Sequence, residues 1–135
     1  MRKISISDAR SLSQMHCELF EQGWSENDFE KMLKTGDYFG FISDEGFIIG
    51  RKIIDEVEIF AIGVLQQFQH KGLGTKFMQA FAVEAQKLEA KTIFLEVNEN
   101  NVFAKKLYLS NGYTTISTRA NYYDNQTAII MKKDV

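Results

Sequence analysis

The sequence predicts an α+β fold: a mixed, mostly antiparallel seven-stranded sheet with about four helices. Three observations carry this expectation. Residues 37–65 hold three strand-like runs separated by very short turns, the pattern of an antiparallel meander. Residues 71–90 repeat apolar side chains at helical spacing and are followed at once by another strand-like run, so a helix should cross over between two parallel strands. The chain then closes with a short helix ending at Asn111-Gly112 and two more strand-like runs.

The elements follow in order. Arg2 to Ile6 alternates as a short strand. Asp8 can cap a helix reaching about Phe20, with Leu12, Met15 and Leu19 on one stripe. Ser25, followed three residues later by Asp28, has the form of a capping box and should open a second helix ending near Lys34. Strands are expected at about 37–43, 46–53 and 56–65, with Asp44-Glu45-Gly46 and Ile54-Asp55 as the turns. Leu73, Phe77, Phe81, Ala85 and Leu88 form the apolar stripe of the long helix. A strand from Thr92 to Asn98, a helix over about 101–110, and strands over about 113–120 and 126–132 complete the chain.

The 135 residues suit one domain, spanning 1–135, with a single sizeable core and no internal repeat or linker. A composition that is 44% hydrophobic and 25% charged is that of an ordinary globular protein. The formal net charge of -2 argues against a nucleic-acid partner, which asks for a basic face. No apolar run approaches the roughly 18 residues of a membrane span, and Met1 to Ser5 lacks the apolar stretch of a signal peptide. Cys17 is the only cysteine, so no internal disulfide can form and a cytoplasmic location is expected.

Three segments can carry chemistry. Gln69-His70-Lys71-Gly72-Leu73-Gly74 lies between a strand and the long helix. Its glycines allow close backbone approach, and the free amides of the first helical turn favour a phosphate. It can equally be a turn that only starts a helix. It is neither a dinucleotide fingerprint, because Phe77 stands at the third glycine position, nor a P-loop. Glu96 lies in the middle of the apolar run Phe94 to Asn98, where a carboxylate is either solvated or held in a cleft for proton transfer. Tyr108 shares a helix face with Ala104, as a core aromatic or as a phenol placed to donate a proton. The two histidines, His16 and His70, have no metal-ligand spacing, so no metal is expected.

Taken together and in this order, these segments resemble the GNAT acetyltransferase superfamily. Gln69 to Gly74 fits its Gln/Arg-x-x-Gly-x-Gly/Ala signature in full. Within that superfamily the chain looks like the ribosomal-protein-alanine N-acetyltransferases of the RimI type. That resemblance rests on Glu58 to Val64, Leu95-Glu96-Val97, Asn101, Ala104, Leu107-Tyr108, Gly112-Tyr113, Asn121-Tyr122-Tyr123 and Ala128 to Met131, with Trp24-Ser25 matching an early substrate loop. It implies a sheet whose strand ending near Val64 splays from the strand holding Glu96, with acetyl-CoA in the opening. It assigns cofactor binding to Ile62, Val64, Gln69, His70, Lys71, Gly72, Leu73, Gly74 and Asn101. The Val64 amide would polarise the thioester carbonyl, Glu96 would act as base through water, and Tyr108 would protonate the leaving thiolate. Trp24, Ser25, Asn121, Tyr122 and Tyr123 would bind the acceptor, expected to be the α-amine of a protein N-terminus. Two other acceptor or role classes stay open: a small amine such as a polyamine or an antibiotic, and a CoA-binding domain without catalysis. A plain interaction domain would not need the Gln69–Gly74 motif. The chain departs from the family in having no proline, Leu65-Gln66 in place of Asp-Pro, Gly23-Trp24 in place of Pro-Trp, and no acidic pair before Ala128, all of which bear on substrate choice.

Overall fold

The computed structural model describes residues 1–123 and 126–135, with the backbone alone for 121–123. The chain runs β1 (Arg2–Lys3), α1 (Ala9–Leu19), α2 (Glu26–Lys34), β2 (Tyr38–Ser43), β3 (Gly46–Ile53), β4 (Glu56–Val64), α3 (Leu73–Lys87), β5 (Thr92–Asn98), α4 (Val102–Ser110), β6 (Thr114–Tyr123) and β7 (Gln126–Asp134). The strands form one sheet in the order β1-β2-β3-β4-β5-β7-β6. Every pairing is antiparallel except β4 with β5, the two strands joined by α3. The α+β class, the strand count and the crossover agree with the sequence reading.

Two apolar layers sandwich the sheet. Beneath α3 and α4 lie Ile48, Val57, Ile59, Phe77, Phe81, Ile93, Leu95, Tyr113 and Met131. Beneath α1 and α2 lie Leu12, Phe29, Ile42, Phe47, Ile49 and Ala61. The Ser25–Asp28 capping box forms in both directions: Asp28 N–H donates to Ser25 Oγ at 3.1 Å, and Ser25 N–H donates to Asp28 Oδ2 at 2.9 Å. Asp8 behaves differently from expectation. Its carboxylate reaches back to the Ser5 N–H at 2.8 Å and takes a two-pronged bond from Arg2, which holds it well below the usual carboxylate range, at about 2. That turn ends β1 after Lys3 rather than at Ile6.

The long helix is shorter at both ends than the expected range 71–90. His70 (φ 64°) and Gly72 (φ 81°) are left-handed, so the helix cannot begin before Leu73. At the far end Glu89 is left-handed (φ 64°), and Ala90 N–H bonds back to the Ala85 carbonyl at 3.0 Å. This is a Schellman closure made without glycine, which is why composition does not reveal it.

The feature that shapes the site is a β-bulge. Ile49 pairs with Ala61 and Gly50 with Ile59, leaving Phe60 as the extra residue. The bulge reverses the inward phase of β4: Val57 and Ile59 face the α3 layer before it, and Ile62 and Val64 pack against that same layer after it. Beyond the bulge β4 leaves β5. The two strands pair only at Glu56–Thr92, Val57–Ile93 and Glu58–Phe94. The paired end is fastened by Lys91 N–H to the Asp55 carbonyl at 2.7 Å.

Gly50 makes this junction possible. A Cβ there would lie 2.5 Å from the Glu58 carbonyl oxygen and 2.6 Å from Phe81 Cζ. Gly50→Ala is therefore expected to destabilise the fold by about 1–3 kcal/mol, the usual range for overpacking. A lower urea midpoint at unchanged slope is the expected reading; an unchanged midpoint would show that the junction tolerates the methyl.

Candidate active site

The splayed strands open a cleft of about 780 Å³. One wall is the β4 segment Phe60 to Val64, the other is Glu96, Val97 and Asn98 of β5, and the floor comes from the start of α3 and one face of α4. Because β4 has no β5 partner after Glu58, its inner backbone groups face the opening without a ladder. At the end of the strand the Gln69 side-chain amide donates to the Val64 carbonyl at 2.8 Å, tying the loop to β4.

The loop ends in Gly72, the left-handed N-cap of α3, which makes no side-chain cap bond. The first intrahelical bond is Lys76 N–H to the Gly72 carbonyl at 3.2 Å, so the amides of Leu73, Gly74 and Thr75 have no helical acceptor. Gly72, Leu73, Gly74 and Thr75 all line the cleft. Uncapped amides at the positive end of a 15-residue helix form a receptacle for phosphate. Gly74 has a further reason to be small: a Cβ there would meet Leu107 Cδ2 of α4 at 3.3 Å.

Of the residues singled out from sequence, Ile62, Val64, Gln69, His70, Gly72, Leu73, Gly74, Asn101, Glu96 and Tyr108 line this one cleft. Lys71 does not; its Nζ lies 6.0 Å above the Phe68 ring. Asn101 also caps α4, its side chain accepting from the Ala104 N–H at 3.1 Å. Tyr108 is buried at 7% exposure in the wall of the cleft, and burial pushes its phenol up to about 12, so it stays protonated at neutral pH. Glu96 is partly buried and lies 3.7 Å from an Arg119 guanidinium nitrogen of β6.

A second cavity of about 260 Å³ opens on the α1–α2 side of the sheet, lined by Glu58, Phe60, Phe94, Glu96, Ile130 and Arg51 among others. Glu96 and Phe60 border both cavities, so the carboxylate stands where the two meet. Glu58 shares the pocket, and its pKa is raised by desolvation and by the negative charge of Glu96. The sequence reading gave no site role to Glu58, Phe60, Phe94, Ile130 or Arg119, although Glu58, Phe60 and Ile130 lie in the stretches that carry the resemblance. The bulge brings Phe60 and Glu58 to this junction, and a bulge leaves no residue-type signal here apart from Gly50.

Trp24 and Ser25 are not among the residues that line either cavity. Trp24 stacks on His16 at 4.4 Å between ring centroids, its N–H donates to His16 Nδ1 at 2.9 Å, and Ser13 Oγ donates to its carbonyl. It fastens α1 to α2, and Ser25 caps α2; neither lines the cleft. The side chains of Asn121, Tyr122 and Tyr123 fall outside the described residues. Among the described residues no cluster of His, Cys, Asp or Glu is arranged to hold a metal, and no helix is long and apolar enough to cross a membrane.

The sequence pattern of the acetyltransferase (GNAT) family matches residues 9–113. The chain belongs to that family. It is 33% identical over 118 residues to the [ribosomal protein bS18]-alanine N-acetyltransferase of Escherichia coli, covering 80% of this chain and 78% of that one. It is 34% identical over 90 residues to the enzyme of the same name from Haemophilus ducreyi, spanning 63% of this chain and 62% of the relative's length. Among solved structures, the E. coli ribosomal-protein-S18-alanine N-acetyltransferase superposes with a TM-score of 0.84 at 26% identity over 98% of this chain and 91% of that one. Ard1 from Thermoplasma volcanium superposes at 0.86 with 23% identity over 99% of this chain and 95% of that one, a likeness of fold. Other neighbours of the same fold hold acetyl-CoA, among them NAA60 of Arabidopsis thaliana.

The His16 stack has a pH signature. His16 is buried at 4% exposure with its pKa lowered by desolvation, so the folded state prefers the neutral ring that accepts from Trp24. The sign follows: its contribution is full above the unfolded value of about 6.5 and fades as pH falls below that. Urea midpoints are expected to drop between about pH 7 and pH 5, and His16→Gln to flatten that drop. Equal slopes in parent and variant would assign the acid sensitivity to other groups.

Proposed function

We propose that this protein transfers the acetyl group of acetyl-CoA directly to an amine, and that the acceptor is the α-amine of a protein N-terminus. The observation that carries the reading is the meeting of the two cavities at Glu96, with Tyr108 in the wall of the larger one. The larger cavity suits the CoA thioester: uncapped α3 amides for the pyrophosphate, and an unladdered β4 edge for the amide-bearing arm. Bound acetyl-CoA would supply an activated acyl group. Ile62 and Val64 backbone groups hold the arm, and the Val64 N–H polarises the carbonyl. Asn101 borders the same path.

The acceptor enters from the opposite side of the sheet. Glu58 and Glu96 give that pocket negative character, which suits an ammonium group, while Phe60, Phe94 and Ile130 offer apolar contact to the first side chain. Glu96 takes a proton from the ammonium through water, and the neutral amine attacks without an acyl-enzyme. Tyr108 delivers its proton to the departing thiolate, a role open to a phenol that is protonated at neutral pH and that burial makes harder still to ionise in advance. An α-amine, with a pKa of about 7.7–8.0, leaves a useful neutral fraction at pH 7, unlike a lysine amine at about 10.4. The relatives are named for the alanine of ribosomal protein bS18, and an N-terminal alanine is the acceptor we assign here. The one cysteine, Cys17, is free and exposed, which suits a reducing cytoplasm.

Two experiments test this reading. Tyr108→Phe is expected to lower kcat by about 10²–10⁴-fold with little change in acetyl-CoA affinity. Glu96→Gln should lose most activity near neutral pH and recover part of it at high pH, where the amine is already deprotonated. An unchanged kcat in the first, or a pH-independent loss in the second, would return these side chains to structural roles. The acceptor is tested by competition between a short peptide with a free N-terminal alanine and spermidine. The peptide should win, and Phe94→Ala should lower its kcat/KM by roughly tenfold, the equivalent of about 1.4 kcal/mol of lost contact. Preference for spermidine would defeat the protein N-terminus while leaving acetyl transfer in place.

A further inference from the structure

The smaller pocket carries a cation as well as carboxylates. Arg51 of β3 lines it, directly opposite Glu58 of β4 in the antiparallel register. Residues paired in this way rise from one face of a sheet with Cβ atoms about 4.5–5.5 Å apart. The Arg51 guanidinium lies over Tyr38, with Cζ 5.6 Å from the ring centroid. Tyr38 is braced in turn by the bulged Phe60, edge to face at 5.5 Å and 69°. Stacking orients the guanidinium but satisfies none of its donors. Asp37 Oδ2 stands 3.7 Å from Nη2, beyond hydrogen-bond length. Nε is buried and has no hydrogen-bond partner among the described residues. A buried donor left unmade is costly, and a guanidinium held in a pocket wall is suited to receive an oxygen.

We propose that Arg51 is a specificity-determining residue: it donates to the first peptide carbonyl of the acceptor, so that the pocket takes an α-amino acyl group and rejects a polyamine. This rests on the reading above that the acceptor enters through this pocket. The pocket has two signs side by side. Glu58 and Glu96 suit an ammonium, and Arg51, one strand away from Glu58, suits the oxygen that an α-amino acyl group carries close to its nitrogen. A peptide N-terminus answers both signs at once. A polyamine offers no oxygen and brings further positive charge against the guanidinium.

The test measures turnover of two acceptors by the full chain with acetyl-CoA as donor: a short peptide with a free N-terminal alanine, and spermidine. Arg51→Met keeps an apolar stem over Tyr38 and removes every donor. It is expected to lower kcat/KM for the peptide by roughly ten- to a hundredfold, mainly through KM, as the loss of a charge-assisted hydrogen bond should. For spermidine it is expected to raise kcat/KM. Arg51→Lys keeps the charge without Nε or the planar fork, so it should lower the peptide value without the gain on spermidine; it decides the point if the Met variant does not fold. Acetyl-CoA affinity, read by calorimetry, should stay at the parent value, because Arg51 does not border the larger cleft. Equal losses for both acceptors would overturn the proposal, since Arg51 would then only hold the Asp37–Tyr38 corner. So would peptide turnover at the parent level in both variants. Either result leaves the parent acetylating the peptide and the acceptor reading intact. If the parent itself prefers spermidine, the N-terminus reading falls and the role of Arg51 falls with it.

Discussion

One extra residue in β4 governs the molecule. With Phe60 looped out opposite the Ile49–Gly50 step, β4 stays paired with β3 on both sides of the bulge, but its register shifts by one residue and so does the face each later side chain occupies. Two consequences follow from the same kink. The residues after it, Ile62 and Val64, continue the apolar layer under α3, so the core closes without a gap. The strand also turns away from β5 after three paired positions, so its backbone edge is left facing a cavity inside the sheet. A straight β4 would pair along its length, and there would be neither a cleft nor a passage between the two faces at Glu96.

Much of this was readable from residue types, and the limits are instructive. The bounds of β3 and β5 and the Ser25–Asp28 cap follow from local rules: alternation, turn residues, and a side chain reaching three positions along the backbone. Local rules fail where a distant partner outbids them. Asp8 looks like a helix cap, but Arg2 and the Ser5 amide hold its carboxylate on the other side. Trp24 reads as a candidate wall for a peptide; in the fold His16 stacks on its ring and accepts from its backbone N–H, a contact between α1 and α2 that residue type alone does not announce. Glu89 ends α3 in a conformation that sequence rules reserve mainly for glycine. Within the site, residues on the cofactor side form continuous local motifs and were legible. Glu58, Phe60, Phe94 and Ile130 come from three strands and become neighbours only through sheet register and the bulge.

The electrostatics of the junction are lopsided. Glu58 and Glu96 share a pocket with Glu56, Arg51 and six apolar residues. Desolvation, and after it the negative charge of Glu96, raises the pKa of Glu58. Arg119 approaches Glu96 from the β6 side and partly offsets the repulsion. No such charged neighbour acts on Tyr108: desolvation alone raises its pKa, with Tyr113 beside it at 6.2 Å between ring centroids.

The opening between β4 and β5 is a slot with one closed end. It is sealed where Glu58 meets Phe94 and widens over the six residues from Ile59 to Val64, roughly 20 Å of strand. An exposed sheet edge ordinarily invites another chain to lie alongside and extend the ladder. Here a passing strand would need to leave through the sealed end, and it cannot. What fits is something thin that enters tip first and stops, leaving its bulk outside the mouth. The blind end thus shields a vulnerable edge from promiscuous pairing, and it also fixes how far the tip of any long, linear molecule can travel before it comes to rest beside Glu96.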